Sequence, residues 1–168
     1  MNTVSQQIRN KLYTKSSNCN ILKYHKSRKI VRINPTFNMD LYANQPINYL
    51  TYTHSVEHIV PQSFVNEPTH SSDMHNMWLT HMKLNAYRCN YRYSALQTRR
   101  SSRYVTNTGV VTSQPTDACI IVDNNRRSVS IKHNRGAIAR TIGYYHIQYP
   151  DLSCILEHIL PFNLMLRW

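Results

Sequence analysis

Residues 55–93 read SVEHIVPQSFVNEPTHSSDMHNMWLTHMKLNAYRCNYRY, and the fold turns on how this stretch is parsed. It opens on a carboxylate next to an imidazole, Glu57-His58, in a run of β-branched residues that Pro61 stops. Alternating apolar and polar residues before a proline predict a strand that ends there. Gln62 to Ser72 is polar and contains Pro68, so it reads as a loop. Met74 to Thr80 fits a return strand, and Met82 to Tyr93 a helix whose buried side takes Met82, Leu84, Tyr87 and Tyr91. The order is strand, loop, strand, helix within about forty residues.

Upstream, residues 3–14 carry Val4, Ile8 and Leu12 at helical spacing, while RKIVRI at 28–33 alternates like a strand. Pro35 and Pro46 bracket a loop, and INYLTYTH at 47–54 is strand-like and runs into Val56. Downstream, strands are expected over Tyr104–Val111, Ala118–Val122 and Ser128–Lys132. The period then changes. Ile138, Ile142, Tyr145 and Tyr149 predict a helix over Gly136–Tyr149, followed by helices over Leu152–Leu160 and from Phe162 onward. The expected class is α+β, a single domain over residues 1–168 with a C-terminal helical scaffold at about 134–168.

Charge narrows the function. Twenty Lys and Arg against eight Asp and Glu give a net charge of +12, spread along the chain. Such a field attracts polyanions, and a folded basic surface points to nucleic acid. No apolar run approaches the roughly 18 residues of a membrane span, so no membrane partner is expected. The first residues show no apolar h-region, so no signal peptide and an intracellular location are expected. The four cysteines are far apart with no CxxC pair, which suits free thiols in a reducing compartment.

Hydrolysis of a phosphodiester requires that water be deprotonated and that charge on the phosphoryl oxygens and the leaving 3′ oxygen be stabilised. A neutral His can do the first near pH 7. A hard divalent cation on oxygen ligands can do the rest. Glu57, His58 and Asn85 form such a set. Adjacent residues in a strand point to opposite faces, so Glu57 and His58 serve one site only at a bend or strand end.

The segments VEHIVPQSF, SDMHNM and LNAYRCNYRY, followed by RGAIART at 135–141, resemble in order and spacing the endonuclease I family of metal-dependent nucleases, part of the ββα-metal (His-Me finger) superfamily. The resemblance covers about residues 50–168 and implies a ββα-metal core at about 50–93. It implies a hydrolase cleaving DNA, with RNA as a further candidate, with little sequence specificity, using one Mg2+ (or Mn2+ or Ca2+) ion. By this resemblance His58 is the general base, and Glu57 and Asn85 are the metal ligands. Arg88 contacts phosphate, and Asp73 and Asn76 hold the finger together. Asn90 orders the site, and Arg92 extends a basic stripe four residues beyond Arg88. Arg135 is either scaffold or a phosphate contact.

The chain departs from the pattern at three points. Pro61–Ser72 holds no arginine, where many members carry one. Trp168 falls short of a further segment common in the family, which is expected to weaken substrate grip. The export signal of many bacterial members is not seen. Two other readings follow: a faded nuclease fold that binds nucleic acid without cleaving it, and a zinc protein, since five of nine histidines fall between His54 and His81.

Overall fold

The computed structural model describes residues 23–33, 38–48, 53–95 and 102–168. Its centre is an antiparallel hairpin of β1 (His54–His58) and β2 (Met77–His81), with Glu57 opposite Trp78 and His58 opposite Met77. Between the strands the chain makes a 3-10 turn (Gln62–Phe64), helix α2 (Pro68–Ser72) and a second 3-10 turn (Met74–Asn76). The segment expected to be an irregular loop is therefore partly helical. Pro68 suits the first turn of α2, where its missing N–H costs nothing. Helix α3 (Met82–Arg88) follows β2 directly.

The two faces of the hairpin bury different things. Val56, Met77 and Leu79 pack with Ile47 against Val31 of α1 (Tyr24–Ile33) in a small core. The other face meets the main core, where Tyr42 and Leu84 join residues of the second sheet and the C-terminal helices. That sheet runs β3 (Arg92–Tyr93), β7 (Ser128–Ile131), β6 (Ile120–Asp123), β4 (Ser102–Val105), β5 (Val111–Thr112) in spatial order. The β3–β7 pair is parallel and the others are antiparallel. Helix α4 (Arg135–Gln148) buries Ala137, Ile138, Thr141, Ile142 and Tyr145, one stripe at three- and four-residue spacing. Helices α5 (Ser153–Ile159) and α6 (Phe162–Met165) complete the C-terminal layer.

Three expectations are corrected. RKIVRI lies in α1, not in a strand: Ser27 and Val31, four apart, are both fully buried, so the helical period wins over a short alternation. Tyr104–Val111 is not one strand but the β4–β5 turn, which Gly109 makes at φ +72. The helix expected to reach Tyr93 stops at Arg88, because Cys89 takes φ +54. The helix expected at 3–14 lies outside the described residues, as do residues 49–52 of the expected strand at 47–54.

Candidate active site on the edge of the hairpin

Helix α3 lies along the outer edge of β1 and satisfies that edge with side chains. Asn85 Nδ2 donates to Val56 O (3.2 Å) and to Ser55 Oγ (2.9 Å). Arg88 donates to His58 O (3.3 Å) and Ile59 O (2.6 Å). The match follows from repeat lengths. Residues three apart on a helix share one face. Carbonyls two apart on a strand point to the same edge, roughly 7 Å apart. The Asn85–Arg88 spacing thus meets the Val56–His58 spacing. These contacts fix where the β1 end sits relative to α3.

Glu57 faces the main core and is 2% exposed. Its Oε1 accepts from Tyr42 Oη (2.7 Å) and lies 3.2 Å from Arg88 Nε. Tyr42 and Tyr93 share a hydroxyl hydrogen bond (2.9 Å), and the Arg88 guanidinium lies over the Tyr93 ring at 4.9 Å. Burial raises the Glu57 carboxyl above its ordinary value, and Arg88, Tyr42 and the His58 backbone N–H offset that only in part. A guanidinium does not lose its proton, so the neighbouring carboxylate supplies the charge that compensates it. Arg88 itself is 1% exposed and engaged with Glu57 and three backbone carbonyls. This placement departs from a side chain reaching out to phosphate.

His58 leaves β1 on the opposite face, towards Tyr24 of α1 (ring centroids 5.7 Å). Strand β1 runs extended through Glu57 and ends at His58, so the two side chains leave the strand end on opposite faces, Glu57 into the main core and His58 towards α1. His58 Nε2 lies 3.2 Å from Ser71 O. A carbonyl only accepts, so Nε2 carries the proton and Nδ1 keeps the lone pair. Burial pushes this imidazole down to about 4, which leaves it neutral at pH 7.

Asn76, fully buried, grips the turn after β1. Its Oδ1 accepts from Val60 N (2.7 Å) and its Nδ2 donates to Val60 O (2.8 Å). Asn76→Ala leaves both backbone groups unpaired, at about 1–3 kcal/mol each. We expect a lower midpoint in urea with the m-value unchanged.

Asp73 Oδ1 accepts from His75 N and lies 2.9 Å from His75 Nδ1, while Oδ2 accepts from Tyr149 Oη (2.8 Å). Burial pushes the Asp73 carboxyl up, but these hydrogen bonds outweigh it and hold the group below its usual value. His75, stacked on Tyr144 at 4.2 Å, is raised by its bond to Asp73. A depressed acid stabilises above its unfolded value, about 3.9, and loses that as pH falls through the folded one. A raised His stabilises below about 6.5 and loses that as pH rises through the folded one. Both contributions are present between about pH 4 and 6.5. The melting-temperature deficit of His75→Phe should therefore be largest near pH 5–6 and shrink by pH 8.

The remaining candidates sit apart from this edge. Asn90 Nδ2 donates to Ser63 Oγ (3.3 Å) and its Oδ1 accepts from Arg127 (3.1 Å). Arg92 is exposed on β3, so the basic stripe does not continue from Arg88. Arg135 begins α4, donates from Nε to Ile131 O (2.8 Å) and lies over the Trp168 ring at 5.8 Å. These contacts tie it into the scaffold. Among the described residues no group of three or more His, Cys, Asp or Glu is placed to hold a metal, which leaves the zinc reading without a site there. No helix among them is long and apolar enough to cross a membrane.

Tyr42 is the residue that sequence reasoning missed. It lies fifteen positions from Glu57 and carries no local pattern that marks it.

A family model described as Endonuclease I matches residues 1–160. No curated protein matches the chain at a significant level.

Proposed function

The chain belongs to the endonuclease I family and is a nuclease, and from that premise we propose that it is a single-domain, metal-dependent endonuclease cleaving DNA with little sequence preference. One feature of the site carries this reading. His58 and Asn85 each have the N–H donor engaged with backbone, which leaves Nδ1 and Oδ1 as available lone pairs. A neutral imidazole with a fixed Nδ1 lone pair suits deprotonation of water. The Asn85 carbonyl oxygen and the Glu57 carboxylate are hard donors of the kind that suit magnesium, with water and substrate completing the shell. Glu57 Oε1 is already held by Tyr42 and Arg88, so Oε2 is the oxygen we assign to the ion. A bound divalent cation supplies charge stabilisation at the phosphoryl oxygens and the leaving 3′ oxygen.

In this account Arg88 is a positioning residue. It fixes the Glu57 carboxylate and, through His58 O and Ile59 O, the end of β1 that carries the base. Asp73 and Asn76 hold the returning segment by the bonds described above, and Asn76 does so at Val60, two residues beyond the base. The products expected are 5′-phosphate and 3′-hydroxyl ends.

The test is metal dependence in variants. Asn85→Ala and Glu57→Gln should shift the Mg2+ or Mn2+ concentration needed for half-maximal rate upward by about tenfold or more, the scale seen when a metal site loses a supporting contact. An unchanged metal requirement in both would remove them as ligands. One observation favours the binding-only reading: Glu57 is buried in an ion pair and faces away from His58. That reading expects no cleavage in any metal and salt-sensitive DNA binding that survives both substitutions.

A further inference from the structure

A cleft of about 500 Å3 opens beside the turn that follows β1, lined by Phe64, Asn90, Arg92, Arg126, Arg127 and His158. Four segments converge to make it. Arg92 N donates to Arg127 O (3.1 Å), which sets β3 against the β6–β7 turn. Arg127 adopts φ +49 in that turn, donates to Asn90 Oδ1 (3.1 Å) and lies over the Tyr91 ring at 5.8 Å. Asn90 in turn bonds Ser63 (3.3 Å), and Phe64 meets His158 of α5 edge-on at 6.3 Å.

Arg92, Arg126 and Arg127 are all exposed. Among the described residues none of the three has a carboxylate at ion-pair distance. The nearby Asp123 carboxylate instead accepts from Arg126 N (3.2 Å). Converging guanidinium groups without an acid repel one another, and a phosphate relieves that repulsion with forked hydrogen bonds. Phe64 and His158 add ring surface next to the charge, and the pairing of cation and aromatic ring is what a nucleotide strand uses. A flat basic patch would offer the charge without the rings.

We propose that this cleft is a second nucleic-acid subsite, which takes a phosphodiester flanking the cleaved one on Arg92, Arg126 and Arg127 and rests a base against Phe64 and His158. The assignment rests on the nuclease reading above for what lies next to it, but not for its binding chemistry. Phe64 is six residues beyond His58, so the two are at most about 20 Å apart. At about 3.4 Å of rise per nucleotide that is within roughly six nucleotides of the scissile bond.

The test measures binding of a 20-nucleotide single-stranded DNA, whose bases are free to stack, in EDTA across a NaCl series, which removes catalysis from the readout. Loss of one phosphate contact on a single strand makes the slope of log K against log salt shallower by about 0.7. The double variant Arg92→Ala/Arg126→Ala should show that change, and Phe64→Ala should bind about tenfold more weakly with the slope unchanged. Lys132→Ala, whose ammonium donates to Thr116 O elsewhere on the surface, removes a charge outside the cleft and should keep the wild-type slope. If Lys132→Ala changes the slope as much per charge as the arginine variant does, DNA reads net charge and the subsite is wrong. An unchanged slope in the arginine variant overturns it as well. A shallower slope in the arginine variant alone, in a protein that cleaves nothing, keeps the subsite and fails the nuclease mechanism instead.

Discussion

His58→Ala is expected to lower DNA cleavage by about a thousandfold, the middle of the range for loss of a positioned general base, with DNA binding unchanged. The base acts on water in the transition state and makes no ground-state contact with the strand, so affinity does not depend on it. The expected pattern is a loss of kcat with little change in KM, measured on linear duplex DNA, alongside a binding titration in EDTA. The side chain is 8% exposed and its Nε2 bonds Ser71 O. A melting curve of the variant therefore belongs with the assay, to separate lost chemistry from lost fold. A variant that folds, binds and cuts at the wild-type rate would remove His58 as the base.

Arg88→Ala is expected to have the largest effect on stability, about 3–5 kcal/mol, the scale for removing one partner of a buried ion pair. Three losses coincide. The Glu57 carboxylate keeps its Tyr42 bond but loses its counter-charge. The carbonyls of His58, Ile59 and Cys89 each lose a donor. A fully buried long side chain leaves a cavity over Tyr93. Against a typical total stability of 5–15 kcal/mol, the variant should unfold about 6–20 °C lower. Arg88→Lys keeps the charge but not the planar fork that reaches two carbonyls and a carboxylate, so it should recover only part of the loss. A variant as stable as wild type would mean that Glu57 and Arg88 are not paired.

Much of the hairpin was legible because its signals are local. The β-branched run from Val56 towards Pro61 marks a strand, although β1 itself ends at His58 and Ile59 and Val60 lie in the bend beyond it. The RGAIART helix was equally plain, since its apolar stripe keeps one period over fourteen residues. What stayed hidden depends on contacts between distant positions. Helical spacing put Asn85 and Arg88 on one face, but a solvated arginine and one buried against a strand edge have the same spacing. Tyr42 reaches Glu57 only through tertiary packing. The cleft arginines come from the Arg126-Arg127 turn and from Arg92 in β3, far apart in the chain, and nothing in either segment points to the other. In α1, by contrast, the signal was present but ambiguous, because six residues are too few to separate a period of two from one of 3.6.

The central claim, that this endonuclease I family member cleaves DNA with a divalent metal, is tested most directly on supercoiled plasmid incubated with Mg2+, with Mn2+ and with EDTA. Nicking and linearisation are expected in either metal and none in EDTA, with 5′-phosphate ends that ligate without further treatment. Intact plasmid in both metals, with salt-sensitive binding retained, would contradict it and leave a nuclease fold that holds nucleic acid without cutting it.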